Sequence, residues 1–193
     1  MALLTVSGCT ASATDPTPTP SATTTTSAPP SVSPKPSPTT ESELAAASAE
    51  ALAHEYYRIT DAVAADPTNL KPLKTVATSA ELIRLRNTFG PWEDDGWHKT
   101  GTIQVIDLTT QSVSFDDSGQ GSNAGPTVQI DVCYDVADVD VVDASGESQV
   151  DANRPDRAWE RLWISNPDYD DDPESGWLVA DRKTLEREPC AAR

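Results

Sequence analysis

The sequence predicts an α+β domain, with N-terminal helices packed on one face of a curved antiparallel sheet and a disordered Ser/Thr/Pro-rich linker ahead of it. Three observations carry this expectation. Larger apolar residues recur at helical spacing between Glu43 and Phe89. From Thr127 to Val136 they alternate with polar residues, as in a strand buried on one face. The helical stretches come first and the strand-like stretches follow, without the interleaving that builds a parallel sheet.

The first helix is read from ESELAAASAEALAHEYYRITDAVAADP, with Leu44, Leu52, Tyr56, Ile59 and Val63 on one stripe. Ser42 is the expected N-cap, and Asp66-Pro67 ends the helix. A short piece follows at Leu70, Leu73 and Val76. Thr78-Ser79-Ala80-Glu81 has the order of a capping box, with Glu81 reaching back to Thr78. Leu82, Leu85 and Phe89 continue the helix until Gly90-Pro91 bends or breaks it, and WEDDGWHKTG leads away. Strands are expected over 102–108 and 112–116, followed by a flexible loop, GQGSNAGP, at 119–126. The clearest strand is 127–136: Val128, Ile130, Val132, Tyr134 and Val136 form the apolar face, with Gln129, Asp131, Cys133 and Asp135 opposite. Val139–Val142 is expected to continue it past a kink, with a turn at Ala144-Ser145-Gly146. Strands at 158–165 and from Trp177 flank a loop at 166–176.

Ahead of this domain, which is expected over 43–193, lie two other regions. Residues 10–42 are almost entirely Thr, Ser, Pro and Ala, too poor in large apolar side chains to bury a core. Repeated prolines keep such a segment extended, at about 3.1 Å per residue, so it reads as a spacer and suits O-glycosylation. Residues 1–9 end in Val6-Ser7-Gly8-Cys9, the order of a lipobox: small residues that admit a peptidase, then a cysteine whose thiol accepts a diacylglycerol. The basic n-region is missing and the apolar run is short, so this is read as a truncated signal, with Met1 either a misplaced start or an artificial boundary. The expected location is extracytoplasmic, lipid-anchored to the outer face of the cell membrane through Cys9. The net charge of −17 disfavours nucleic acid and anionic lipid headgroups as direct partners.

The other cysteines are Cys133 and Cys190. Cys133 lies on the polar face of the best strand, and in an exported protein a bridge to Cys190 would tie the C-terminal tail across that face. Two free thiols are the alternative. Neither histidine, His54 or His98, has a serine in a recognisable nucleophile setting, so both read as surface or cap residues. Asp138, Asp140 and Asp143 do not match a calcium-loop spacing, and Asp170, Asp171 and Asp172 crowd one loop; solvated acidic loops are the preferred reading, with no metal or cofactor implied.

The order of elements is similar to the nuclear transport factor 2-like fold, a cone of helices wrapped by a bent antiparallel sheet. More narrowly, residues 43–190 resemble a family of small actinobacterial and actinophage lipoproteins. The likeness rests on ALAHEYYRITDAVAADP, TGTIQVIDL, VCYDVADVDVVDASG, the RPDR at 154–157, GWLVADR and the closing EPC. It implies the cone and the envelope location, while the activity within that family is mostly unassigned. A cone lined by Tyr56, Trp92, Trp97, Trp159, Arg161 and Trp163 would hold an apolar or carbohydrate ligand, against the plainer reading of core filling. The expected function is a non-enzymatic, membrane-anchored interaction module at the cell envelope, binding an envelope protein or small apolar ligand, and in a phage-encoded form altering the host surface. The alternatives are a small-molecule carrier, or an enzyme of the isomerase, dehydratase or cyclase type. Those enzymes need acid/base residues inside the cone, which fold alone does not confer.

Overall fold

A computed structural model describes residues 40–116, 125–188 and 190. Cys9, most of the spacer and most of the expected 119–126 loop lie outside them. The first helix, α1 (Glu41–Ala65), starts two residues before the boundary read from composition. Its N-cap is Thr40 rather than Ser42. The Glu43 amide donates to Thr40 Oγ1 at 3.2 Å, and the Thr40 amide donates to Glu43 Oε2 at 3.0 Å, a complete capping box. Asp66 closes the helix before Pro67, as the sequence indicates. The buried face is more alanine-rich than the expected stripe. Tyr56 and Val63 are buried, but Leu44 is 49% exposed, and Ala45, Ala49, Ala53 and Ala64 occupy the contact. Small side chains let the helix axis approach the sheet closely, which pushes the larger Leu52 and Ile59 to the rim.

A short 3-10 turn (Lys71–Thr75) buries Leu73 and leads to α2 (Ser79–Phe89). Thr78 is the N-cap of α2, yet its side chain makes no capping bond. Its amide instead donates to the Val179 carbonyl at 2.9 Å, and the Val179 amide returns a bond to Val76 at 3.0 Å. The expected capping box is therefore absent, because Glu81 is drawn into the interior. Helix α3 (Trp92–Asp95) ends on Gly96 in the left-handed region, at φ 68°.

The main sheet has strands β2 (Gln104–Ser114), β3 (Thr127–Asp135), β5 (Arg157–Ser165) and β6 (Leu178–Leu185), all antiparallel in the order β2-β3-β5-β6. The α+β expectation of helices packed on an antiparallel sheet holds. Val128, Ile130 and Val132 of β3 face the helices with Leu162, Ile164 and Val179. The two strands expected at 102–116 are one, interrupted by register shifts at Val105/Asp107 and Thr110/Ser112.

A second, two-stranded sheet pairs β1 (His98–Thr100) with β4 (Asp140–Val142). The sequence read β4 as a continuation of β3. The chain leaves the main sheet because Arg154 donates to the carbonyls of Val136 and Val139, at 2.8 and 2.9 Å, and holds the bend. The small sheet is tied to α1 by an ion pair between the buried Lys99 and Asp61, whose Oδ2 also accepts the Ile103 amide at 2.9 Å.

Candidate functional site

The two faces of the β2-β3-β5-β6 sheet carry different chemistry. On the helix side, Tyr56 and Tyr57 sit edge to face with ring centres 5.3 Å apart. Tyr56 donates to Glu81 Oε1 at 2.5 Å, and Tyr57 donates to Glu160. Arg182 lies between the acids: Nη1 donates to Glu160 Oε2 at 3.1 Å, and Nε is 3.0 Å from Glu81 Oε1, a charge pair without hydrogen-bond alignment. Arg84 pairs with the second Glu81 oxygen and donates to Asp181 Oδ1 at 2.7 Å. The two buried glutamates thus face two arginines.

Burial raises the Glu81 pKa above its ordinary value, and Arg182, Tyr56 and Arg84 pull against that. Burial also lifts both tyrosines well above 10. For Arg182 burial opposes the charge, but Tyr56, Glu160 and Glu81 outweigh it and raise the pKa. A protonatable glutamate beside a tyrosine is raw material for acid/base chemistry. Here both acids are paired with arginine, and neither of the two hollows at the sheet and its loops is lined by Glu81 or Glu160.

Strand alternation sends the neighbouring residues to the opposite, outer face. There Gln129, Asp131 and Cys133 lie opposite Trp163, Arg161 and Trp159, respectively. Arg161 donates to both Asp131 oxygens, from Nε at 2.6 Å and from Nη2 at 3.0 Å, and this hydrogen bonding raises the Arg161 pKa. Arg187 approaches Asp131 Oδ2 at 3.3 Å and lies 3.7 Å above the centre of the Trp159 ring, a cation–π contact. Cys190 is joined to Cys133 by a disulfide, with Cα atoms 6.2 Å apart, so the bridge read from the sequence is present. The segment after β6 therefore crosses the outer face and buries Cys133 completely.

Farther along the strands, a hollow of about 220 Å³ is lined by Thr127, Trp163, Ser165, Ala180 and Asp181. A second, of about 440 Å³, lies at the 166–176 loop, where Phe115 meets Tyr169 at 5.6 Å and Asp168, Asp170 and Asp171 form part of the wall.

The side chains read as lining one pocket do not converge. Tyr56 is buried on the helix side; Trp159, Arg161 and Trp163 are half-buried on the other face. Trp92 packs edge-on against Phe89 at 5.1 Å, with Trp97 a further 6.3 Å away, near α3. Successive strand residues point to opposite faces, so residues of α1 and the odd-numbered positions of β5 cannot share a cavity. Trp177 is core, with its indole N–H donating to the Pro173 carbonyl at 3.0 Å. His54 is exposed on α1, and His98 is half-buried on β1. Asp143 organises its turn by accepting from Ser145 and from the Glu147 amide, and Asp172 does the same with Ser175. Among the described residues no group of His, Cys, Asp or Glu is arranged to hold a metal ion. Sequence reasoning missed Glu81, Glu160, Arg182 and Asp131. The adjacent tyrosines on a helix whose buried face is otherwise small, mostly alanine with Thr60 and Val63, were the available signal for the interior cluster.

No family model and no curated protein matches this chain. Among solved structures, the intermembrane space region of the chloroplast protein ARC6 is similar at 13% identity, with a TM-score of 0.49, over 72% of this chain and 95% of that one. A likeness of that size carries no functional argument.

Proposed function

We propose that this chain is a lipid-anchored, extracytoplasmic lipoprotein whose folded domain is a non-enzymatic binding module at the cell envelope. The Cys133–Cys190 disulfide is the observation that carries the reading, since such bridges persist in oxidising compartments. The lipobox Val6-Ser7-Gly8-Cys9 and the Thr/Pro spacer behind it support the anchor. A diacylglycerol supplies two acyl chains, which hold a protein to a bilayer where one chain binds only marginally. Helices ahead of an antiparallel sheet are compatible with the finer reading, a nuclear transport factor 2-like cone in a family of actinobacterial and actinophage lipoproteins. A phage-encoded form would act by altering the host surface.

The binding reading is favoured over catalysis by how the ionisable groups are disposed. The interior acids are matched by Arg182 and Arg84, whereas the outer face displays Trp159, Arg161 and Trp163 to solvent in part. The experiment is metabolic labelling with an alkyne palmitate of the chain expressed behind a complete lipoprotein signal. Label should enter the wild type, which should sediment with membranes. Cys9→Ser should lose both label and sedimentation; a Cys9→Ser protein that sediments as before rejects the anchor.

A further inference from the structure

One hydroxyl of the outer face is buried without a partner. Ser165, at the end of β5, is 1% exposed, and its Oγ makes no hydrogen bond among the described residues. Buried polar atoms are nearly always paired, so an orphan at the wall of a hollow points to a ligand atom. The hollow has a structural origin. Trp163 pairs with Asp181 while Ile164 pairs with Val179, so Ala180 has no opposite number and β6 bulges. Bulges open the ladder and re-aim side chains beside it. The space of about 220 Å³ lies at that bulge, lined by Thr127, Trp163, Ser165, Ala180 and Asp181.

The lining selects a ligand class by elimination. Trp163 offers an aromatic plate, Thr127 and Ser165 offer hydroxyls, and Asp181 offers a carboxylate. An apolar ligand would leave Ser165 unpaired and strip water from Asp181, which disfavours it. An anion would meet Asp181 on a chain of net charge −17. A cation is not demanded, since Asp181 Oδ1 already accepts from Arg84 at 2.7 Å and from the Arg182 amide at 2.8 Å. A neutral ring with C–H groups on its face and hydroxyls on its rim meets every lining group: the face stacks on the indole, and the rim bonds Ser165, Thr127 and the free Asp181 Oδ2. Drug-sized pockets run from about 300 to 1,000 Å³, so this smaller hollow suits one ring rather than a chain of them.

We propose that Thr127, Trp163, Ser165 and Asp181 form a subsite for a single neutral pyranose ring of an envelope glycan, which deepens the binding role proposed above and rests on it for the glycan's location. The test is saturation-transfer NMR on the full chain, produced without its lipid, against the methyl pyranosides of glucose, galactose, mannose and N-acetylglucosamine at up to about 20 mM. At least one should show transfer to its ring C–H protons. Trp163→Ala should weaken that binding at least about tenfold, and Ser165→Ala about threefold to tenfold. Ser165→Ala should also keep or raise the thermal midpoint, because the free protein loses no hydrogen bond. If Trp163→Ala does not fold, Ser165→Ala decides alone. Absence of transfer from all of these glycosides, or a folded variant that binds unchanged, overturns the subsite. Glycoside binding without palmitate on Cys9 would sink the anchor and spare the subsite; labelling without glycoside binding would do the reverse.

Discussion

Arg182→Met tests the interior charge cluster most directly. Removing one partner of a buried ion pair commonly costs about 3–5 kcal/mol, because the other charge is left desolvated. Two features lower the figure here. The Arg182 side chain is 34% exposed, so water already screens part of the interaction, and Glu81 keeps Tyr56 and Arg84. Among the described residues, Glu160 keeps Tyr57 alone as a hydrogen-bond partner. A loss of about 2–3 kcal/mol at pH 7 follows, and with a urea slope of about 1–3 kcal/mol per molar the midpoint should fall by roughly 1 M. The pH dependence has a definite sign. Burial holds the folded pKa of Glu81 above its ordinary 4.5, so its contribution to stability is fully present below that value and is lost as pH rises through the folded pKa. Taking away Arg182 removes an interaction that lowers the Glu81 pKa, which carries the loss further toward neutral pH. The deficit of Arg182→Met relative to wild type should therefore be largest near neutrality and shrink as pH falls toward about 4.5. Adding Glu160→Gln should recover part of it. Urea titrations at both pH values check this. A deficit below about 0.5 kcal/mol at pH 7, or one that grows on acidification, refutes the reasoning.

Two further perturbations read other parts of the fold. Cys133→Ser with Cys190→Ser opens a bridge spanning a sequence separation of 57, for which the chain-entropy relation gives about 4 kcal/mol at most. Non-reducing peptide mapping should find the joined pair in the wild type, and a loss below about 1 kcal/mol in the double variant would reject the entropic account. Gly101 has φ +71°, and a Cβ there would stand 1.9 Å from the Asp138 carbonyl oxygen, so Gly101→Ala must move backbone between β1 and β4. It should cost more than about 1 kcal/mol by denaturant titration, and an unchanged midpoint would contradict that.

Much of the fold was legible because local rules and packing agreed. The alternation in 127–136 places Val128, Ile130 and Val132 inside and Cys133 outside, as the structure has them. Asp66-Pro67 and Gly90-Pro91 end their helices because the amide that a proline lacks does not depend on distant contacts. The misreadings occur where two local roles competed. Glu81 has the spacing of a capping residue, but Tyr56, Arg84 and Arg182 bring stronger partners, so Thr78 caps α2 without it. Leu44 and Leu52 have the right spacing for a buried stripe, but the alanines beside them allow the closer helix–sheet approach. The pairing of β4 with β1 depends on Arg154 reaching back to Val136 and Val139, a contact that no periodicity encodes.

What the chain determined by itself was short-range: most of the helix and strand segments, their order, and the face on which Cys133 lies. These follow from period, turn chemistry and composition, each set by neighbours a few residues apart. Only the tertiary structure decided that Glu81, Glu160 and Arg182 meet, that Trp163 and Tyr56 lie on opposite sides of one sheet, and that a bulge at Ala180 opens a hollow over Ser165. Those outcomes depend on strand register and on charges paired across long separations, and an ion pair or a bulge exists only once its two strands are aligned.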